Sequence, residues 1–316
     1  MNAFTRKLRK AKRLLSEGDY GELFSRLLSN VPLYRTLERY AKYLYLHRKY
    51  RSFIDERASV IRAGGGGVQG YRPIIWRLWL QGTDNAPEIC KSCLASLRRW
   101  HPDKEIITLD KDNLSDYITL PDYINRKHEQ GIIDNTKYSN LVRLQLLIEH
   151  GGTWIDSTVF CTGRKSEGIM HLPLFVFRLG NFAENLRRFP KTVSRLNYTA
   201  VVASNWFITA DAHNPILELT RDLHFEYWRT YDYCIDYGVF HMFFKMASEV
   251  FADEWSKVPV ILSQLPHQMQ FRMYEDYSDE KMKYFAGISD FHKMTYKIDP
   301  DRVPSASSIY QHIAES

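Results

Sequence analysis

Three side chains that could act together on a charged substrate fall in the segment "YSNLVRLQLLIEHGGTWIDSTVF", residues 138–160. Leucine spacing predicts a helix in its first half, and Asn140 and Arg143 project together from one face of that helix. Asp156 lies on the predicted strand that follows. A guanidinium suits the diphosphate of a nucleotide sugar, and Asp and Asn oxygens suit its hydroxyl groups. The segment therefore predicts a site for a sugar that is linked to a diphosphate.

Asp156 is the one acidic residue in the strand pattern "TWIDSTVF". Because an unpaired carboxylate is costly to bury, we expect Asp156 at a strand end or facing a cation. Gly151 and Gly152 permit a sharp turn between the helix and this strand, which would bring Asp156 toward Arg143. The alternative interpretation is an Arg143–Asp156 ion pair that only ties the helix to the strand.

Predicted strands and helices alternate along the chain after residue 72. The strand patterns are "PIIWRLWL", "EIITL", "TWIDSTVF", "LPLFVFRL" and "AVVASNWFITA", and the helix patterns are "APEICKSCLASLRRW" and "NTKYSNLVRLQLLIEHGG". This alternation predicts an α/β fold of Rossmann type, with a mixed, mostly parallel sheet flanked by helices. In such sheets, ligands bind beyond the carboxyl ends of the strands.

The N-terminal part of the chain differs from the rest in charge. Residues 1–62 contain 15 Lys and Arg against 6 Asp and Glu, whereas the remaining residues contain 28 against 31. Apolar residues recur at helical spacing through residues 4–15, which predicts an amphipathic basic helix. Such a helix could lie on an anionic membrane surface, or it could pack on its own domain with a solvated basic face. We predict a basic helical arm at 1–63, a glycine-rich linker at 64–71 and a main domain at 72–316.

The composition excludes several classes of protein. A chain with 44% hydrophobic and 14% aromatic residues can bury a core, so it is not a disordered protein. No apolar run approaches the roughly 20 residues of a membrane-spanning helix, and the basic start lacks the apolar core of a secretory signal. We therefore expect a cytoplasmic protein. The four cysteines are too few for a disulfide scaffold, and Cys90 and Cys93 are interpreted as helix residues rather than a redox or metal pair.

Several motifs occur together in a fixed order. The segments "PIIWRLWLQG", "YSNLVRLQLL" and "GGTWIDSTVF" are followed by "NWFITADAHNPIL" and "FHKMTYK". Through these motifs, the chain from about Arg72 to Lys297 resembles the capsular polysaccharide synthesis proteins, which are sugar transferases related to family 32 glycosyltransferases. The resemblance implies a GT-A-like glycosyltransferase domain. It also implies transfer from a nucleotide-diphosphate sugar, with a UDP-sugar favoured, to a lipid-linked or oligosaccharide acceptor in bacterial capsular or surface polysaccharide synthesis.

The resemblance assigns roles to single residues. Trp79 would stack on the nucleotide base, for which its flat π-face is suited, and Gln81 would contact the nucleotide sugar. Arg143 would contact the sugar or the diphosphate, and Lys293 a phosphate. Asp156 matches the first aspartate of the family's Asp-x-Asp motif, which holds the nucleotide sugar and supports a divalent ion. Stabilising the departing nucleoside diphosphate is the main electrostatic task in such a transfer.

Two positions depart from the family pattern. The family's Ser-Asp is Ser139-Asn140 here, so Asn140 would bind the donor through a neutral amide. The second aspartate of Asp-x-Asp is Thr158, and because the capsular branch of the family often has threonine at that point, Thr158 alone does not predict inactivity. Because one carboxylate holds Mg²⁺ or Mn²⁺ poorly, we expect His292 to complete a metal site with Asp156 and Thr158. The alternative is that His292 belongs to a surface tail.

The acceptor side of the reaction is less defined by the sequence. Related families retain the anomeric configuration of the donor sugar, so we expect retention. Asp236 and His241, in "YDYCIDYGVFHMFFKMA", could orient the acceptor hydroxyl, although a helix so rich in Tyr, Phe and Met also suits a core. The expected partners are a nucleotide sugar, a glycan or lipid-linked acceptor and, through residues 1–15, the anionic inner face of a membrane.

Two other functions compete with the transferase hypothesis. A catalytically impaired nucleotide-sugar or glycan-binding protein of the same fold is favoured by Asn140 and Thr158, which replace carboxylates of the family pattern. A nucleic-acid-binding role is favoured by the clustered Lys and Arg of the arm. The small negative charge of the main domain argues against nucleic acid, so we expect no such partner.

Overall fold

The computed structural model describes residues 32–65, 70–179, 201–299 and 301–316. The chain divides into two compact units, Met1–Lys49 with Asn181–Ala200, and Tyr50–Gly180 with Val201–Ser316. Of the first unit, the structure describes helix α1 (Pro32–Lys49). The predicted basic helix of residues 4–15 lies outside the described residues.

The second unit contains the sheets and most of the helices. Its elements are, in chain order, α2 (Arg51–Ala63), β1 (Ile74–Leu78), α3 (Glu88–Trp100), β2 (Glu105–Leu109), α4 (Asp122–Glu129), α5 (Asn135–His150), β3 (Gly152–Ile155), β4 (Val159–Cys161), β5 (Leu174–Arg178), β6 (Ala203–Ala210), α6 (Pro215–Thr230), α7 (Val239–Val250), α8 (Ala252–Ser256), α9 (Gln268–Phe271), α10 (Asp279–Ile288), β7 (Phe291–Lys293) and α11 (Ile309–Ala314). In the described parts of the chain, no helix combines the length and apolar character needed to cross a bilayer.

In the described parts of the chain, five strands form the main sheet, in the order β2-β1-β3-β6-β5. Strand β1 pairs in parallel with β2 and β3, whereas β6 pairs antiparallel with β3 and β5. Four strands therefore point one way and β6 runs against them. Helix α5 packs on β1, β3 and β6. The prediction of a mixed, mostly parallel sheet flanked by helices is confirmed.

The segment "TWIDSTVF" forms two strands, so the prediction of a single strand there is wrong. Strand β3 ends at Ile155 in the main sheet, and β4 pairs antiparallel with β7 in a separate two-stranded sheet. Between them, the amide of Val159 donates to the carbonyl oxygen of Asp156 at 3.0 Å, which closes a turn. Asp156 is thus at the carboxyl end of β3, where its carboxylate can leave the apolar core.

Helix α5 is buried on nearly all sides, because it is packed against β1, β3, β6 and helix α6. Every residue from Asn140 to Ile148 is buried. The helix begins after Asp134, whose carboxylate accepts from the amide of Lys137 at 2.9 Å, and it ends at Gly151 with φ of 66°. The charged side chain of Arg143 therefore projects from a part of the helix that has little contact with solvent.

The cysteine pair of helix α3 is confirmed as a pair of buried helix residues. Cys90 and Cys93 are free thiols on a helix that packs against β4. Burial raises the pKa of Cys90 to about 11 and that of Cys93 to about 12. Both thiols are therefore protonated at neutral pH, where a metal ligand or a redox nucleophile would need a thiolate.

The boundary predicted at residues 64–71 stays a prediction. Helix α2, on the arm side of that boundary, belongs to the second unit. Its Arg57 donates from Nε and Nη2 to one carboxylate oxygen of Asp222 on α6, at 2.9 and 2.7 Å. This two-pronged ion pair attaches α2 to the helices behind the sheet.

Gly152 occupies the tightest backbone position between α5 and β3. It has φ of 93°, and a Cβ atom there would lie 2.8 Å from the carbonyl oxygen of Ile74 and 3.2 Å from Nε1 of Trp76. Trp76 Nε1 donates to the carbonyl oxygen of Gly151 at 2.8 Å. The first residue of β3 can therefore approach β1 only because it has no side chain.

We predict that Gly152→Ala lowers the free energy of unfolding by about 3 kcal/mol or more, since it adds a steric clash to an unfavourable φ. Gly131→Ala is a matched control, because Gly131 also has positive φ (74°) but its added Cβ would meet nothing within 4 Å. The control should cost only about 1 to 2 kcal/mol. Urea denaturation of the two variants measures the difference, and equal losses would contradict the close approach.

Candidate active site

A cavity of about 520 Å³ opens beyond the carboxyl ends of β1 and β3. Trp79 and Gln81 line it from the chain after β1, Asp156 and Thr158 from the chain after β3, Arg143 from α5 and Lys293 from β7. Its position is the one expected for a ligand site in a mostly parallel sheet. The cavity brings together six of the residues that the sequence proposes for donor and metal binding.

The carboxylate of Asp156 is the centre of this cavity's polar contacts. Its Oδ1 accepts from Trp154 Nε1 at 2.9 Å and from Arg143 Nη2 at 3.3 Å. Its Oδ2 accepts from Lys293 Nζ at 3.0 Å. The Asp156 side chain keeps 24% of its surface exposed, so a ligand in the cavity can reach it. Asp156 therefore faces a cation, as expected, and it faces two of them, Arg143 and Lys293.

Arg143 is fixed by contacts on several sides. Its Nε and Nη2 donate to the carbonyl oxygen and to Oγ of Ser139 at 3.2 and 3.1 Å, and its Nη1 donates to the carbonyl oxygen of Asn205. The guanidinium also lies over the ring of Trp154, at 4.8 Å from the ring centre. The side chain is only 4% exposed. A buried guanidinium held in one orientation is a preorganised binding group for a phosphate.

The charges of the site set the ionisation of Asp156. Burial alone would raise the pKa of this carboxyl, but Lys293 and Arg143 outweigh it and hold the pKa below its usual value. Burial lowers the pKa of Arg143, and Asp156 opposes that shift. The ion pair named as the alternative therefore exists, and it lies on the wall of the cavity, so the two interpretations are not exclusive.

Asn140 supports the site from behind the cavity wall. It is buried, and its Oδ1 accepts from Asn205 Nδ2 at 3.0 Å. The same Asn205 offers its carbonyl oxygen to Arg143. Asn140 thus orders the residue that orients Arg143, whereas the sequence predicts a direct donor contact for it. That direct contact stays a prediction.

The residues predicted to hold a metal ion are not brought together. In the β4–β7 pairing, His292 lies opposite Phe160 and Lys293 lies opposite Val159. Because successive side chains of a strand point to opposite faces, Lys293 faces the cavity and His292 faces the other side. The His292 ring is buried and shares a hydrogen bond of 2.9 Å with Oγ1 of Thr162. Burial lowers its pKa to about 4. His292 is therefore neither a surface residue nor a neighbour of Asp156.

The remaining groups do not fit a divalent cation either. Oδ1 and Oδ2 of Asp156 already accept from three donors, and Thr158 Oγ1 accepts from Lys293 Nζ. Among the described residues, no three His, Cys, Asp or Glu side chains form a cluster that could hold a metal ion. The donor set around Asp156 suits an ammonium better than Mg²⁺ or Mn²⁺, which prefer several oxygen ligands.

The predicted acceptor-side residues lie outside the lining of the cavity. Asp236 accepts from the amide of Gly238 through Oδ1 at 2.7 Å, just before helix α7. His241, on the first turns of α7, has its ring in edge contact with that of Phe240. Tyr237, between them in sequence, does line the cavity and is 71% exposed. Roles for Asp236 and His241 in orienting an acceptor stay predictions.

Sequence reasoning missed a buried arginine beneath the site. Arg77, on β1, is 1% exposed, and its Nη2 donates to the carbonyl oxygen of Ser157 at 2.9 Å. Its Nε and Nη1 have no hydrogen-bond partner among the described residues. Burial lowers the pKa of Arg77 to about 10, so it is charged at neutral pH. It holds the turn that carries Asp156 and adds positive potential below it.

Sequence reasoning also missed His267 on the cavity wall. Its Nδ1 is 2.6 Å from the carbonyl oxygen of Ser263, so Nδ1 carries the proton and Nε2 can accept. Burial, reinforced by Lys293, lowers its pKa to about 4. No motif marked this residue. Tyr296 and Lys297, which also line the cavity, lie in the "FHKMTYK" motif that the sequence did single out.

A second cavity, of about 600 Å³, lies beside the N-terminus of α6. Asp211, His213 and Asp253 are among its lining residues. It is larger than the first cavity but contains none of the residues predicted for the site. We assign the candidate active site to the first cavity, because charged side chains converge there, and cavity volume is not the criterion.

Comparison with known proteins now adds a family. The family model described as "capsular polysaccharide synthesis protein" matches residues 34–313, which is most of the chain. The chain belongs to this family. The resemblance drawn from its motifs is therefore confirmed, and the match extends into helix α1, beyond the segment that carries the motifs. No curated protein shows significant similarity to the chain.

Two solved structures are among those similar in architecture to this member of the family. The PaToxG glycosyltransferase is 13% identical, with 88% of this chain and 96% of that chain covered and a TM-score of 0.37. The galactosyltransferase LgtC, solved with donor and acceptor sugar analogues, is 10% identical, with 77% and 95% covered and a TM-score of 0.39. At these values neither likeness bears on the substrate or mechanism of this chain.

We predict that His292 stays neutral in the folded protein down to about pH 4. The unfolded chain binds that proton near pH 6.5, so it holds more protons than the folded chain between the two values, and stability must fall as pH falls. From pH 7 to pH 5, this residue should remove roughly 2 kcal/mol from the free energy of unfolding.

Two measurements check this prediction. An NMR titration of the imidazole signals should show the His292 ring unprotonated at pH 5, and urea denaturation of His292→Gln should show a smaller loss of stability between pH 7 and pH 5 than the wild type. A His292 ring that titrates near pH 6.5 would contradict its burial as described.

Proposed function

We propose that this protein is a glycosyltransferase that moves a sugar from a nucleoside-diphosphate sugar, with a UDP-sugar favoured, to a glycan or lipid-linked acceptor of capsular polysaccharide synthesis. The observation that supports this most is the cavity in which Asp156 contacts Arg143 and Lys293 at the carboxyl end of β3. Membership of the capsular polysaccharide synthesis family supports it independently.

The charge of the cavity favours an anionic ligand. Arg143, Lys293 and Lys297 line it with Asp156 as the opposing carboxylate, and Arg77 adds a buried positive charge beneath. A nucleoside diphosphate carries about two or three negative charges and would balance this excess. Guanidinium and ammonium groups in a partly buried cavity bind phosphate oxygens strongly, because little water screens them.

The aromatic residues suit the rest of the donor. Trp79 and Tyr296 both line the cavity, with ring centres 5.3 Å apart and ring planes near perpendicular. A flat ring beside a phosphate-binding pocket can stack on a nucleobase, which supports the base-binding role proposed for Trp79. Gln81, two residues on, is available for polar contacts with the same ligand.

In the proposed reaction, the bond between the anomeric carbon and the diphosphate oxygen breaks, and both electrons leave with the nucleoside diphosphate. The acceptor oxygen forms the new bond to the anomeric carbon, and its proton passes to the departing diphosphate or to water. Arg143 and Lys293 stabilise the negative charge that develops on the leaving group, while Asp156 holds both cations in place. Retention of configuration, as expected from related families, remains part of the proposal.

The acceptor and the membrane are also part of the proposal. Exposed Tyr237 on the cavity wall offers a ring face to an acceptor sugar. Residues 1–15, outside the described residues, are proposed to bind the anionic inner face of a membrane, which would bring a lipid-linked acceptor to a peripheral, cytoplasmic enzyme.

A catalytically impaired binding protein is the second candidate. It is favoured by Asn140 and Thr158, which stand where the family pattern has carboxylates. Because the same cavity would bind the donor in both cases, nucleotide binding alone does not separate the two functions. Release of nucleoside diphosphate from a nucleotide sugar does separate them, because it requires catalysis.

We predict that the purified protein releases nucleoside diphosphate from at least one nucleotide sugar, and that Asp156→Ala lowers this rate by about 100-fold or more. Removing Asp156 takes away the carboxylate that both cations contact, so the orientation of the Lys293 ammonium and the charge balance around Arg143 both change. A coupled assay for UDP and GDP, run over several nucleotide sugars, gives the measurement.

Asp222→Ala is the matched control for this experiment. It removes the carboxylate of another poorly exposed Arg–Asp pair, Arg57–Asp222, which does not line the cavity. Both variants should lose stability, but only Asp156→Ala should lose the activity. Donor binding without any release, in the wild type and with all sugars tested, would favour the impaired binding protein.

A further prediction concerns the basic arm. The full chain should sediment with vesicles that contain anionic lipids, whereas a chain that starts at Tyr34 should not, because each lysine or arginine near such a surface contributes about 1 kcal/mol. Vesicles of neutral lipid are the control. Equal sedimentation of the two chains would contradict a membrane-binding role for residues 1–33.

A further inference from the structure

We infer that Lys293 binds the donor's diphosphate in the place where transferases of the Asp-x-Asp type use a divalent cation, so that this chain binds its nucleotide without Mg²⁺ or Mn²⁺. The inference rests on the proposed function, and it replaces the metal ion expected from the sequence with a group of the chain itself. The geometry that leads to it is the ammonium of Lys293 between Asp156 and Thr158.

Lys293 takes the contacts that a metal ion would need. Asp156 and Thr158 correspond to the two positions of the Asp-x-Asp motif, and Lys293 Nζ donates to Oδ2 of the first and Oγ1 of the second. The other carboxylate oxygen, Oδ1, is engaged by Trp154 and Arg143. A divalent ion would have to displace the ammonium and would then find one carboxylate and one neutral hydroxyl, a poor ligand set.

The backbone fixes Lys293 in this position. In the β4–β7 pairing, Lys293 lies opposite Val159, the residue directly after Thr158. The amide of Lys293 donates to the carbonyl oxygen of Pro266 at 3.0 Å, and the amide of Met294 donates to that of Thr158 at 2.7 Å. The ammonium is therefore delivered by a strand that is held on both sides. A flexible surface lysine would not be positioned in this way.

The register of the same strand excludes the alternative ligand. His292 is one residue earlier, so its side chain leaves the opposite face of β7 and is buried at Thr162. Moving His292 to Asp156 would require a shift of one residue in the register, which would remove Lys293 from the cavity. Only one of these two side chains can therefore reach Asp156, and in this fold it is Lys293.

The charge balance of the cavity points the same way. Among the described residues, Arg143, Lys293 and Lys297 line the cavity and Arg77 lies buried beneath it, against one carboxylate, that of Asp156. This excess of positive charge already matches a diphosphate. Adding a divalent cation would bring two more positive charges among four cationic side chains, and like charges at short range in a partly buried site repel strongly.

His267, which lines the cavity, and Cys90, which interacts electrostatically with Lys293 and Asp156, do not change the balance. Burial lowers the pKa of His267 to about 4, so that ring is neutral at pH 7. Burial raises the pKa of Cys90 to about 11, so that thiol is neutral as well. The positive charge available to a ligand therefore comes from the arginine and lysine side chains.

Calorimetric titration of UDP and GDP into the full chain tests the inference directly. The wild type should bind at least one of them with the same affinity, within about twofold, in excess EDTA and in millimolar Mn²⁺. Lys293→Met, which keeps the length and apolar stem of the side chain, should bind the same nucleotide roughly 10- to 100-fold more weakly in EDTA. Lys91→Met, at an exposed lysine paired with Glu88 outside the cavity, should bind like the wild type.

The outcomes separate this inference from the function on which it rests. Nucleotide binding by the wild type only in the presence of Mn²⁺ overturns the inference and leaves the transferase proposal standing, and this comparison needs no variant. Unchanged binding by a folded Lys293→Met also overturns it. If neither UDP nor GDP binds with or without Mn²⁺, the proposed function fails first, and the inference fails with it.

Discussion

The carboxylate of Asp156 accepts hydrogen bonds from Trp154, Arg143 and Lys293, which come from β3, α5 and β7. This one side chain thus joins residues of all three elements at the cavity. Without it, Arg143 would be a buried charge with only carbonyl and hydroxyl oxygens as partners, and removing one partner of a buried pair costs about 3 to 5 kcal/mol. The remaining exposure of Asp156 lowers that cost but also gives a ligand access to the pair. Stability and binding therefore depend on the same carboxylate.

The main sheet can place Asp156 there because β3 is short and ends at once in a turn. Gly152 lets β3 approach β1 closely at its start, and Arg77 and the amide of Val159 hold the turn at its end. After the turn, the chain leaves the main sheet and enters the β4–β7 pair, which brings Lys293 back to the same point.

Most of the main sheet was predictable because its strands are short apolar runs between clear turn signals, and α5 because it has a capping aspartate and a terminal glycine. Asp156 was predictable for a simpler reason, since a single charge in an apolar run must have a partner.

The error at "TWIDSTVF" arose because both halves are apolar and nothing local shows that they join different sheets. His292 was misplaced because the face of a residue on β7 depends on the register with β4. Arg77 and Asn205 were missed because their roles are contacts with residues far away in sequence.

The choice between an ammonium and a metal ion at such a site follows from how many carboxylates surround it. Two carboxylates side by side repel each other and create a demand for a divalent cation, which then bridges to the phosphates of a ligand. With threonine at the second position, that repulsion is absent, and one positive charge is enough for Asp156. Lysine supplies this charge from a fixed strand and keeps one further N–H donor for a phosphate oxygen after it has engaged Asp156 and Thr158. The threonine at position 158 and the lysine at position 293 are therefore parts of one arrangement, and we propose that through it the protein itself supplies the cation for a bound diphosphate.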